Sequence, residues 1–145
     1  MMTAKQYQKR LKPKRKDDEH QIQSEYFKIL SENEAEFPML KYIFAIPNGG
    51  KRHIKVAMKM KREGVKRGVP DIFIPITIFK YDGGQNPQTG SGKFLETKTN
   101  EGVLSKEQKE YRYFLFEQGY NYCICRSVEE LIIETENYLN IKLKT

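Results

Sequence analysis

The sequence predicts an α/β protein, a β-sheet flanked by α-helices, on three observations. Short apolar runs alternate with helix-period segments in the order α-β-α-β-β-α-β-α. Two Ser-x-x-Gln/Glu capping signals open helices in the C-terminal half, at Ser105 and Ser127. Gly- and Pro-containing turns separate the elements and fix their ends. At 145 residues the chain is sized for one domain. Apolar residues are 38% and charged residues 31%, and no run approaches the roughly 18 apolar residues of a membrane span, so a soluble, cytoplasmic protein is expected.

Residues 1–17 hold the cluster "KRLKPKRK" with little apolar periodicity, and are expected to form a basic flexible arm ahead of one domain over 18–145. No apolar stretch follows the charges, so they do not form a secretory signal. From Asp18, Ile22, Tyr26, Ile29 and Leu30 share one helical face, and acidic residues occupy the first turn, where the helix dipole favours them. A strand is expected over Tyr42–Ile46, ended by Pro47 and the Asn48-Gly49-Gly50 turn. The next helix runs from about His53 to Glu63, with Gly64 as its stop. "GVPDIFIPITIF" (68–79) and "KFLETKT" (93–99) read as buried strands joined by the Gly-rich "YDGGQNPQTGSG". That connection ends in "GSGK" but lacks the full phosphate-loop spacing, which excludes a P-loop. A helix from Ser105 to Gly119, the strand "YNYCICR" and a helix from Ser127 to about Leu139 complete the order. The two cysteines, Cys123 and Cys125, fall on one strand face, as core thiols of a reducing compartment would.

The two central strands carry charges that strand propensity and desolvation both disfavour: Asp71, Glu96 and Lys98. Alternation sets Phe94, Glu96 and Lys98 on one face and Leu95 and Thr97 on the other. If Asp71 begins a neighbouring strand, its carboxylate converges with that of Glu96 as two hard oxygen donors suited to Mg²⁺ or Mn²⁺. Lys98 then reaches a phosphate or an attacking water at the same place. An isolated Glu-x-Lys would be an ordinary solvated face. Pro-Asp opening an apolar strand, followed by Glu-x-Lys in a second strand, shifts the balance toward a phosphodiesterase centre at the sheet edge.

This is the Pro-Asp…(Asp/Glu)-x-Lys pattern of the restriction-endonuclease-like nucleases. "EHQIQ" (19–23), "FAIPNGGKR" (44–52), "EGVKRGVPDIFIP" (63–75), "FLETK" (94–98) and "GVLSKEQ" (102–108) together resemble one branch of it, the virus-type replication-repair nucleases or VRR-NUC family, over roughly Asp18 to Ser127. The resemblance implies a mixed sheet flanked by helices and a metal-dependent DNA endonuclease. It implies that Asp71, Glu96 and Glu19 ligate Mg²⁺ or Mn²⁺, with Glu25 the second choice for the helical acid. Lys98 is then the catalytic lysine and Gln108 a residue of the site, although the capping box alone also accounts for a Gln at 108. The gap between Asp71 and Glu96 is longer than the family pattern, which leaves the local strand pairing open.

Net charge is +7, a trait of proteins with polyanionic partners. Asn48, Lys51 and Arg52 at a helix start, with Lys55, Lys59, Arg62, Lys66 and Arg67 beyond, form a basic stripe suited to DNA backbone; the same stripe also reads as a solvated helix face. His20 and His53 lack zinc-ligand partners, and no organic cofactor is expected. A homodimer is expected from the need for two cuts on branched DNA, with Tyr111–Phe116 and Leu131–Leu139 as candidate surfaces, and phage replication or repair as the setting the resemblance implies. The competing expectation is a non-catalytic basic nucleic-acid-binding protein with a degenerate nuclease fold, and a third is a ribosome-associated basic protein.

Overall fold

The structure, a computed structural model, describes residues 17–47, 53–80 and 88–145. The basic arm except Asp17, the turn residues Asn48, Lys51 and Arg52, and the first half of the Gly-rich connection lie outside the described residues.

Helix α1 spans Asp17–Asn33. Its face of Tyr26, Ile29 and Leu30 is buried, as the 3.6-residue period requires. A short 3₁₀ turn, Pro38–Tyr42, follows, with Pro38 at its start, where the missing N–H is no loss. Strand β1 is only Phe44–Ala45, shorter than the expected Tyr42–Ile46: Tyr42 is the last residue of that turn and Ile43 caps it. Helix α2 covers Ile54–Arg62, with His53 as its N-cap accepting from Lys55 N through the ring at 3.3 Å. Gly64 closes it at a φ of 96°.

The run 68–79, expected as one strand, is two. Strand β2 is Ile72–Ile74 and β3 is Ile78–Lys80. Pro75 has no N–H to continue a central ladder, so the chain leaves the sheet there. Strand β3 pairs instead with β4, Gln88–Gly90, as a separate two-stranded ribbon. Tyr138 Oη donates to the Ile76 carbonyl at 2.6 Å and pins the exit.

Strand β5 is Lys93–Thr97, helix α3 Lys106–Glu117, strand β6 Asn121–Cys125 and helix α4 Val128–Leu139. The main sheet runs β1-β2-β5-β6. Its first three strands are antiparallel and β5–β6 is parallel, crossed over through α3, so the sheet is mixed. The Ser105–Gln108 capping box of α3 is complete in both directions. At α4 only half of the expected box forms: Ser127 Oγ accepts from Glu130 N, but Glu130 turns its carboxylate to the main-chain N–H of Arg126.

Ile72, Ile74, Leu95 and Cys125 share one sheet face and pack with Tyr26, Leu30, Leu131 and Ile132 of α1 and α4. Tyr26 Oη and Thr135 Oγ1 join the two helices at 2.8 Å. Both cysteines are free, Cys125 buried and Cys123 half-buried. Alternation leaves the opposite face to Phe73, Phe94, Glu96 and Tyr122, with α3 lying beside β6.

Candidate active site

Asp71 immediately precedes β2, and extending the Ile72–Leu95 register by one residue sets it opposite Glu96. Its main chain still belongs to the sheet, because Ile46 N donates to the Asp71 carbonyl at 2.7 Å. On the β5 side, Thr97 N donates instead to Asp71 Oδ2 at 2.8 Å. The carboxylate thus closes the ladder with a charge-assisted bond and is held against β5. Strand β5 has neighbours on both sides. The pair therefore lies on interior strands of the sheet, near one end of them.

Glu96 is 1% exposed. Gln108 Nε2 donates to its Oε1 at 2.8 Å, while Gln108 Oε1 accepts from Ser105 N at 2.8 Å. One amide serves both as a helix cap and as a partner of Glu96. Lys98 Nζ stands 3.9 Å from the same Oε1, with its side chain 14% exposed. Glu96 Oε2 is buried and has no hydrogen-bond partner among the described residues. Burial above all, then the facing Asp71 carboxylate by charge and by competition for one proton, pushes the Glu96 pKa up to about 9; Lys98 opposes the shift and Glu19 adds to it.

Glu19, at the start of α1, accepts from Thr99 N at 3.4 Å, which sets it beside the segment that follows Lys98. Asp71 and Glu96 are brought together with Lys98 and Gln108, and Glu19 stands at the rim. Among the described residues no three His, Cys, Asp or Glu side chains form a ready cation cage. Glu25 is exposed and lines a cleft of about 290 Å³ with Gln21, Thr99, Asn100 and Arg126. Lys55, Lys59, Arg62, Lys66 and Arg67 are all exposed on α2 and the segment after it. The excursion that carries them leaves the sheet next to Asp71 and returns at Asp71, so the stripe is rooted at the carboxylate pair.

Three positioning features carry no local sequence signal. Gly68, at φ 85°, lets the segment before Asp71 approach α3: a Cβ there would stand 2.5–2.8 Å from main-chain atoms of Glu107 and Gln108. Arg126 Nη1 donates to the carbonyls of Thr99 at 2.6 Å and Gly102 at 2.8 Å, and fixes the loop after Lys98. Tyr122, on the same face, has its ring under the Arg112 guanidinium.

A cation fits this donor set. Two carboxylates lie together with Glu96 buried, Glu96 Oε2 has no hydrogen-bond partner among the described residues, and a divalent ion held by both would offset the cost of burying their charge.

The VRR-NUC domain profile matches residues 5–129. A solved structure described as "VRR_NUC domain protein" superposes with a TM-score of 0.63 at 23% identity, covering 86% of this chain and 89% of that one, and shows the same fold. No curated protein matches the sequence. The mixed sheet flanked by helices and the profile spanning most of the chain agree: this chain belongs to the VRR-NUC domain family and is a nuclease-type domain.

Proposed function

We propose that the protein is a metal-dependent DNA endonuclease that hydrolyses phosphodiester bonds. The single observation that carries this reading is the buried Glu96 carboxyl, pressed against Asp71 with Oε2 unpartnered and Lys98 Nζ 3.9 Å from Oε1. Glu96 and Asp71 would hold Mg²⁺ or Mn²⁺, with Glu19 completing the set from the rim. The ion would supply Lewis acidity toward a phosphate oxygen and a more acidic bound water. Gln108 keeps Glu96 Oε1 occupied, so Oε2 would be the oxygen open to an ion. The Lys98 ammonium offers a charge to the phosphoryl oxygens or a hydrogen bond that orients the attacking water. Lys55, Lys59, Arg62, Lys66 and Arg67 would hold the DNA backbone without reading bases.

Branched DNA is the substrate proposed, with phage replication or repair in the host cytoplasm as the setting. Two cuts across a junction need two sites, which a two-fold dimer supplies. The two surfaces considered for that dimer differ in the fold. Leu131, Ile132 and Tyr138 of α4 are core, whereas Tyr113, Phe114 and Phe116 of α3 are 66%, 55% and 76% exposed. The outer face of α3 is therefore the dimer surface proposed. Among the described residues no helix is long and apolar enough to cross a membrane.

The test is incubation with plasmid, linear duplex and four-way-junction DNA, each with Mg²⁺, Mn²⁺ or EDTA. Cleavage that needs the cation and is fastest on the junction is expected. DNA binding without cleavage in every cation would establish the non-catalytic alternative instead.

A further inference from the structure

Tyr122 Oη is buried and has no hydrogen-bond partner among the described residues, in the same state as Glu96 Oε2. Buried polar groups ordinarily have a partner; of the three atoms without one among the described residues, Thr97 Oγ1 lies on the other sheet face, while Tyr122 Oη and Glu96 Oε2 share this one. Their placement is related. The β5–β6 register sets Tyr122 beside Phe94, one pleat before Glu96, and Ile124 beside Glu96 itself. Diagonal neighbours on adjacent strands stand roughly 7–8 Å apart at Cα, within reach of an aromatic side chain.

The groups that face Tyr122 explain why its hydroxyl is left over. Phe94 and Ile124 are apolar. On α3, Gln108 is committed to Glu96 and Ser105, and Arg112, one turn further on, lies over the Tyr122 ring with its guanidinium carbon 5.5 Å from the centroid. That cation–π contact holds the ring but gives the hydroxyl nothing. The remaining polar groups of this face are Asp71, Glu96 and Lys98. Burial raises the phenol pKa, so the hydroxyl stays a donor, on the sheet face that also carries Asp71 and Glu96.

We infer that Tyr122 is a positioning residue of the carboxylate centre: its hydroxyl donates to the water shell of the cation that Asp71 and Glu96 hold. This rests on the nuclease reading above. In that role Tyr122 orients a hydrated ion from the second layer, as hydrogen-bonding groups around metal sites do, and Arg112 keeps its ring in register.

The experiment is Tyr122→Phe, which removes one oxygen and keeps the ring under Arg112. Three quantities are measured beside wild type: melting temperature in EDTA, Mn²⁺ affinity by calorimetry without DNA, and kcat and KM on junction DNA. The expected result is an unchanged or slightly higher melting temperature without cation, since no protein hydrogen bond is lost. Mn²⁺ affinity falls about tenfold or more, within the roughly 10–100-fold that loss of an outer-shell partner ordinarily costs. The value of kcat falls at least about tenfold with KM for DNA unchanged. A cation-free variant that melts several degrees lower, or one that binds Mn²⁺ as tightly as wild type, overturns the proposal. Wild type that binds Mn²⁺ but cuts no DNA sinks the nuclease reading and leaves the Mn²⁺ comparison to decide the role of Tyr122.

Discussion

Glu96→Gln should stabilise the cation-free protein at neutral pH while removing its response to cations. The Glu96 pKa is about 9 in the fold against 4.5 for the ordinary group. A raised carboxyl pKa means that the folded state binds the proton more tightly than the unfolded state. Stability is then highest below pH 4.5 and falls as pH rises toward about 9. Each pH unit in that window costs about 1.4 kcal/mol, so wild type loses up to about 3 kcal/mol between about pH 5 and pH 7.5. Glutamine cannot ionise, retains an oxygen for Gln108 Nε2, and presents an NH₂ to the Asp71 side. At about pH 7.5 the variant should be more stable by about 1–3 kcal/mol, which for a domain of this size is a rise on the order of 5–10 °C in melting temperature. At about pH 4.5 the gain should vanish. Mg²⁺ should raise the melting temperature of wild type, because the ion replaces the proton and binds only the folded state, and should leave the variant unmoved. Differential scanning fluorimetry from pH 4.5 to 8.5, in EDTA and in Mg²⁺, measures all of this. A variant that is less stable than wild type at pH 7.5, or one that gains equally at both ends of the range, would refute a proton forced on Glu96 by burial and Asp71.

Asp71→Ala should abolish cleavage with DNA affinity nearly intact, as seen in a gel-shift titration beside a cleavage assay. It should also cost about 1–2 kcal/mol, because Thr97 N loses a charged acceptor. Lys98→Ala should lower the single-turnover cleavage rate by about two orders of magnitude or more with Mn²⁺ binding retained; loss of Mn²⁺ binding would make the lysine structural. Lys59 pairs with Glu63 at 3.8 Å in an exposed geometry worth little. Replacing Lys59 and Lys66 together by Ala should therefore leave the fold intact, weaken binding to all DNA sequences alike and reduce the salt slope by about 1–2 units. Gly68→Ala should destabilise the protein by about 2 kcal/mol or more and reduce cleavage with it, because it combines a left-handed φ with a collision against the α3 main chain; an active variant of wild-type stability would show that this close approach is dispensable.

What the sequence determined by itself was what local physics controls. The alternation Phe94-Leu95-Glu96-Thr97-Lys98 has a period of two, so the faces of Glu96 and Lys98 were legible before any partner strand was known. The α1 stripe of Tyr26, Ile29 and Leu30, the Ser105 box and the Gly64 stop were legible for the same reason, since each is decided within a few residues. Errors arose where one local rule overrode another: Pro75 ended β2 inside an apolar run, the 3₁₀ turn begun at Pro38 took Tyr42 out of the expected strand, and Arg126 N took the Glu130 carboxylate from Ser127. Tertiary structure alone decided the rest. Only the pairing of β2 with β5 turns Asp71 and Glu96 into one centre, with a proton held up to about pH 9, because burial and facing charge are properties of the packed sheet. Only the approach of α3 gives the capping Gln108 a second partner on Glu96. Tyr122 and Arg126 look ordinary in the chain because what distinguishes them is the company they keep across strands and loops: a buried hydroxyl with no partner among the described residues, and a guanidinium filled with carbonyls distant in sequence.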